Sequence, residues 1–219
     1  MATALTFTSL QEDLRKYLER GTVNDPTVYT QLPRLINNAE REMAQKLKIL
    51  GFKVFYNQDL VAGQSVYEKP DRWRTTESMW FGTGATPGVV GQKRNPLFAR
   101  GYEYCRVYWP DPSLRDVPRF YSDYDYFHWL IVPTPVAAYP WELGIYEMPA
   151  LLDDVNQTNW TTDFAPTTLL YRCLLECEPF LKDDERIPVW KANYEESASL
   201  LNGQDLQRLI DNQTAREKD

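Results

Sequence analysis

From Val117 to Trp190, large aromatic residues and prolines recur in a fixed order, and this restricts the fold more than any other feature of the chain. The run reads Pro118-Arg-Phe-Tyr-Ser-Asp-Tyr-Asp-Tyr-Phe-His-Trp129, then Pro133-Thr-Pro135, Ala138-Tyr-Pro140, Asn156-Gln-Thr-Asn-Trp160 and Phe180-Leu-Lys-Asp-Asp-Glu-Arg-Ile-Pro188. Proline fixes its own φ and gives up an N–H donor, so the segment is punctuated by turns. Stiff rings set between such turns suit a rigid surface that packs against other proteins. Nothing in the run has the arrangement that activates a nucleophile, which points to a structural or assembly role.

The chain has 219 residues, enough for one well-buried domain or a domain with an appendage. Hydrophobic content of 43% and charged content of 25% are ordinary for a folded domain. No apolar run approaches the ~20 residues that span a bilayer. The start, Met1-Ala-Thr-Ala-Leu-Thr-Phe7, has no basic stretch leading into an apolar one, so a soluble protein made in a cytosol is expected. Cys105, Cys173 and Cys177 are odd in number and lack the spacing of a zinc site, so they read as buried, reduced thiols.

Charge is uneven along the chain. Residues 1–149 hold 17 acidic and 17 basic side chains, whereas 150–219 hold 14 and 7. The acidic last third opposes nonspecific nucleic-acid binding, because phosphate neutralisation needs the other sign. It reads as a solvated helix face, or as the lining of a passage through which DNA slides without sticking.

Helical spacing governs both ends. Ser9 and Glu12 form a capping-box pattern ahead of Leu10, Leu14, Tyr17 and Leu18, with Gly21 as a stop. Asp25-Pro26 opens a second start, and Pro33 divides a short turn from a helix reaching about Leu47. That helix carries Leu35, Ala39, Met43 and Leu47 on one stripe, with Arg34, Glu40, Arg41 and Lys48 largely off it. Ala165-Pro166 opens a helix with Leu169, Leu170, Cys173, Leu174 and Cys177 on a buried stripe. Pro188 lies near the start of a last helix marked by Val189, Trp190, Tyr194, Ala198, Leu201 and Leu206. Gly203 interrupts it; unbroken to Thr214, it would be about 40 Å long.

Between these ends the period changes to two. Phe52, Val54 and Tyr56 alternate with polar residues, and a turn at 62–65 separates Val61 from Val66. Strands are expected at 72–81, 120–123, 126–132 and 141–148, paired antiparallel because their connections are short. Residues 82–91 read as a glycine-rich loop, without the Lys-Ser/Thr of a phosphate-binding loop. Residues 96–108 read as a short helix.

Each chemical candidate has a plainer reading. His128, the only histidine, sits between Phe127 and Trp129 and reads as structural. Asp123 and Asp125 share a strand face about 7 Å apart, as glycosidase carboxylates do, but those come from separate elements. Asp183-Asp184-Glu185 reads as helix capping rather than a cation site. Lys69, Arg72 and Arg74 around Trp73, with Lys93 and Arg94, form a basic-aromatic patch that fits either nucleic acid or intersubunit ion pairs. The glycosylation sequons at Asn156, Asn159 and Asn212 carry no weight without an export signal. No catalytic, cofactor or metal site is therefore expected.

The ordered set Leu35-Ile-Asn-Asn-Ala-Glu40, Tyr121-Ser-Asp-Tyr-Asp-Tyr126, Ile131-Val-Pro-Thr-Pro135, Ala138-Tyr-Pro140, Tyr146-Glu-Met-Pro149, Asn156-Gln-Thr-Asn-Trp160, Ala165-Pro166, Leu169-Leu-Tyr171, Pro179-Phe-Leu-Lys182 and Arg186-Ile-Pro188 with Trp190 carries a family likeness. Over about 7–202 the chain resembles the head-to-tail adaptor, or connector, proteins of tailed bacteriophages, the tail tubular protein A-like phage adaptors. The resemblance implies a virion protein at the head-tail junction, made in the host cytoplasm and not an enzyme. Twelve copies would form a ring between the portal and the tail nozzle or tube, extending the channel through which genomic DNA passes.

The expected fold is α+β: a helical bundle from both chain ends (9–20, 26–48, 166–178, 187–202) around a central antiparallel β-rich insertion at 52–148. Residues 1–203 would be the adaptor domain and 204–219 an arm docking on the portal through Leu206, Leu209 and Ile210, an apolar stripe with little chain left to cover it. Tyr121, Tyr124, Tyr126, Trp129 and Trp141 would lie at the subunit interface. The competing readings are a tail-associated polysaccharide hydrolase and an aromatic-surface module binding carbohydrate or protein.

Overall fold

A computed structural model describes residues 5–20, 25–47, 50–83, 93–180 and 185–216, with backbone only from 204 onward. The helices are α1 (Phe7–Leu18), α2 (Pro26–Tyr29), α3 (Leu32–Lys46), α4 (Tyr102–Tyr108), α5 (Trp160–Phe164), α6 (Pro166–Glu176) and α7 (Ile187–Arg216). The strands are β1 (Lys53–Leu60), β2 (Val66–Glu68), β3 (Trp73–Thr83), β4 (Lys93–Ala99), β5 (Arg115–Asp116), β6 (Phe120–Asp123), β7 (His128–Val132), β8 (Thr134–Pro135) and β9 (Tyr139–Glu147). The chain is mixed α and β and divides into two units, one from 1–52 with 148–219 and one from 53–147.

In the first unit, α6 packs against α1, α3 and α7. The apolar stripes explain why. Leu10, Leu14 and Leu18 of α1 are buried, as are Leu35, Ala39, Met43 and Leu47 of the α3 stripe and Leu169, Cys173, Leu174 and Cys177 from α6. Each enclosed leucine contributes about 1.5–3 kcal/mol relative to exposure. Trp190, Tyr194 and Ala198, one turn apart, bury the first part of α7. Ion pairs from Arg172 to Glu42 and Glu176 tie α6 to α3 and to its own last turn.

The helices of this unit differ from the sequence reading in three respects. The cap of α1 is Thr6, whose hydroxyl accepts from the Ser9 N–H while the Ser9 hydroxyl accepts from the Thr6 N–H. Ser9 thus lies inside the helix, because Thr6 precedes a buried Phe7 that starts the apolar stripe. Gly203 does not interrupt α7, since helical backbone runs through it to Arg216; one glycine costs a helix interior only about 1 kcal/mol. Helix α5 was not anticipated. Its cap, Asn159, accepts from the N–H groups of Thr161 and Thr162.

Among the described residues of the second unit, seven strands form one sheet in the order β1-β9-β3-β4-β6-β7-β2. β1 and β9 pair antiparallel from Lys53↔Tyr146 to Leu60↔Tyr139, so the chain enters and leaves this unit on neighbouring strands. The turn at 62–65 is present, with Gly63 at φ 81, but the strands it separates do not pair with each other: β1 joins β9 and β2 joins β7.

The sheet is not wholly antiparallel as expected. β4 and β6 run parallel within it, and β5 and β8 run parallel in a separate two-stranded sheet. For β4 and β6 the physical reason is α4, which lies between them and supplies the crossover that parallel neighbours require. Residues 96–99, read as helix, belong to β4 instead. Pro96 faces Trp80 on β3, whereas β6 pairs only with Phe98 and Ala99, so the missing N–H of Pro96 breaks no ladder on that side. The core holds Trp129 and Trp141 edge to face at 5.8 Å, with Tyr67 5.4 Å from Trp141. The Trp73 and Trp129 indoles both donate to the Thr76 hydroxyl, at 3.1 and 3.0 Å.

Candidate functional site

The carboxylates that suggested hydrolysis are each engaged by a neighbour. Asp123 accepts from the Lys69 ammonium at 2.7 Å, and the same ammonium donates to the Asp125 carbonyl at 2.9 Å. Lys69 itself is buried, with Nζ 3.6 Å from the Trp73 ring centroid. This corrects its reading as part of a basic patch open to nucleic acid or a neighbouring subunit: the ammonium is enclosed between an aromatic face and a carboxylate. Asp125 accepts from the Phe127 N–H at 2.7 Å and lies 2.9 Å from His128 Nδ1. Desolvation raises the Asp125 pKa, but hydrogen bonds from His128 and the backbone outweigh it and hold the carboxyl below its ordinary value. A glycosidase acid needs the opposite shift.

Two of the other patch cations find carboxylate partners within the same unit. Arg72 pairs with Glu147 at 3.0 Å and Arg94 with Glu142. A cleft of about 570 Å³ between Tyr56, Lys69, Arg72 and Glu147 therefore presents mixed charge rather than a basic surface.

All three cysteines are buried and unpaired. Burial pushes the Cys177 thiol up to about 12, and raises Cys173 well above its usual value, so neither is a nucleophile near neutral pH. Among the described residues, no three His, Cys, Asp or Glu side chains converge on a point that would hold a metal. Asp183 and Asp184 lie outside the described residues. Asn159 is spent on capping α5 and on a hydrogen bond to Glu40.

Glu40 is the unexpected buried charge. Read as lying off the α3 stripe, it is 1% exposed and accepts from the Thr161 hydroxyl and the Asn159 amide. Burial raises its pKa, and the two hydrogen bonds offset part of that rise. Its partners come from α5, the helix that the sequence reading missed.

Of the five aromatic residues expected at an interface, Tyr121, Trp129 and Trp141 are enclosed by their own unit. Their side chains have almost no surface to offer a neighbour, because they fill the space under the sheet. Tyr124 and Tyr126 are exposed. The side chains of Leu206, Leu209 and Ile210 lie outside the described residues, although their backbone is helical within α7.

Two further surface features were not anticipated. A groove of about 430 Å³ follows the β4–β6 seam, with Phe98, Val117 and Phe120 in its walls and Lys93 and Arg119 at its rim. Beside it Tyr104 and Tyr108 stack at 6.1 Å, each meeting Phe120 edge-on. Reading 96–108 as one helix hid this arrangement, since a strand places Leu97 inside and Phe98 outside. The second feature is a tip at 153–156. There the Asp153 carboxylate accepts from the N–H groups of Val155 and Asn156, leaving Val155 94% exposed.

The carboxylates considered for catalysis are thus engaged by neighbours, and comparison with known families supplies the class: the chain is a phage adaptor. It belongs to the SU10 adaptor protein family, whose model matches residues 5–216 and so spans both units. No curated protein matches the chain.

Proposed function

We propose that this protein is a structural component of the virion at the head-to-tail junction. In this reading twelve copies form a ring between the portal and the tail nozzle or tube, and the ring extends the channel for genomic DNA. The observation that carries the reading is the family match over residues 5–216, which leaves neither unit outside it. No chemical step is involved. The helices of the two chain ends form the bundle, and the sheet unit presents exposed rings, Tyr124 and Tyr126 among them, to neighbours. Repetition around a ring multiplies modest contacts into a durable joint. An acidic last third lets DNA pass without sequence-specific attachment.

Contact with the portal falls to the end of α7 and the residues after it, through Leu206, Leu209 and Ile210. The test is direct. Removing residues 204–219 is expected to abolish binding to purified portal while the shortened chain keeps its circular dichroism spectrum; undiminished affinity overturns the docking assignment. Averaged electron micrographs of portal mixed with the full chain are expected to contain a second, coaxial ring, and a lone bound monomer overturns the ring itself.

A further inference from the structure

Assembly of identical copies head to tail needs two different surfaces on one chain that complement each other, because a contact joining unlike patches repeats around a ring. The groove at the β4–β6 seam and the tip at 153–156 have that relation. The groove walls, Phe98, Val117 and Phe120, are apolar, and Phe98 is 53% exposed. Its cations are Lys93 and Arg119 at the rim and Arg100 alongside, the last lying 5.8 Å from the Tyr104 ring centroid and 5.5 Å from that of Phe120. None of the three has a carboxylate partner among the described residues, and the lining contains no acid. The adjacent Asp116 turns its carboxylate onto the Val117 N–H at 2.7 Å.

The tip is the converse: one apolar side chain following two aspartates. Asp153 is used to hold the turn, which Asn156 reinforces by donating to the Leu151 carbonyl at 2.7 Å. Gln157 donates to the carbonyls of Asp153 and Asp154, and its own side-chain oxygen accepts from Thr8. The turn is thus fixed before any partner arrives, which lowers the ordering cost of docking. Asp154 and Val155 are left facing solvent. We propose that the groove of one copy receives the Asp154–Val155 tip of the next copy, with Val155 against Phe98 and Val117 and Asp154 among Lys93, Arg100 and Arg119. This rests on the ring reading and assigns the ring its two contact surfaces.

The test uses the full chain, alone at high concentration and on purified portal, with assembly followed by sedimentation velocity. Arg100→Glu with Arg119→Glu, and separately Asp154→Arg, are each expected to weaken assembly at least about 10-fold, since like charges then face each other. An equimolar mixture of the two variants is expected to assemble again, because each reversed groove meets a reversed tip and each native groove a native tip. Wild-type assembly by either variant alone overturns the proposal, and so does a mixture that fails to recover. A second measurement guards against misfolding: Phe98→Cys and Val155→Cys chains, mixed and oxidised, are expected to form a disulfide between copies, and its absence in assembled material overturns the proposal. Failure of the ring reading has a different signature, a wild-type chain that stays monomeric both alone and on portal.

Discussion

Glu40 shows how one residue can reverse the pattern of its own helix. The α3 stripe predicts the buried positions Leu35, Ala39, Met43 and Leu47 correctly, yet Glu40 is buried beside them. The groups that solvate it lie 119 and 121 positions away, at Asn159 and Thr161, so no local spacing announces them. Lys69 repeats the lesson, with its carboxylate partner 54 positions distant. The linkage for Glu40 has a definite sign. Its folded pKa is raised, so the native state holds the proton more tightly than the unfolded chain does. Its stabilising contribution is full below the unfolded value and is lost as pH rises through the folded one. Glu40→Gln keeps an acceptor for Asn159 and Thr161 without a titrating group. Urea denaturation between about pH 4 and pH 8 is expected to show the variant gaining stability relative to wild type across that window. Parallel curves for the two proteins would exclude Glu40 as the source.

Among elements, those with a continuous apolar period were legible and those defined by a tertiary neighbour were not. α1, α3, α6 and the start of α7 follow from leucine and aromatic spacing, and β3, β6, β7 and β9 from alternation between turns. β4 was hidden, because its place beside β6 is set by the α4 crossover and not by its own residues. α5 is too short to show a period and is held by Trp160, which stacks on Phe164 and meets Phe52 edge-on, both at 5.8 Å. That indole lies over Gly51, where an added Cβ would come within 2.1 Å of two ring atoms. Gly51→Ala therefore displaces Trp160 and loosens α5, and with it the lid on Glu40. A loss of about 1–3 kcal/mol is expected in thermal or urea melts, in the range of overpacked cores. A neutral substitution would mean that the ring moves aside freely.

At the scale of the whole molecule, the family was legible because short motifs keep their order from 35 to 190. Which side chains stay exposed was not, since exposure depends on pairings made across the chain. Trp129 and Trp141 look like interface residues in sequence and are core in the structure, whereas Val155 attracts no notice in sequence and stands almost fully in solvent. The division into a helical unit and an inserted sheet unit has its own measurable consequence. Each buries apolar side chains of its own, so native-state hydrogen exchange is expected to resolve two groups of amides with different opening free energies. One group comprises β1, β3 and β9, the other α3 and α6. A single shared value would show that the two units open only together.

The β1–β9 ladder also determines how the sheet unit would respond to tension applied at its two chain links. Both covalent links to the sheet unit leave from the same end of that ladder, next to Lys53 and Tyr146. Tension spreading those links apart would peel the rungs one after another, like a zip, instead of shearing all of them at once. Under such tension the sheet unit would therefore open from this end first, well before its far strands were strained.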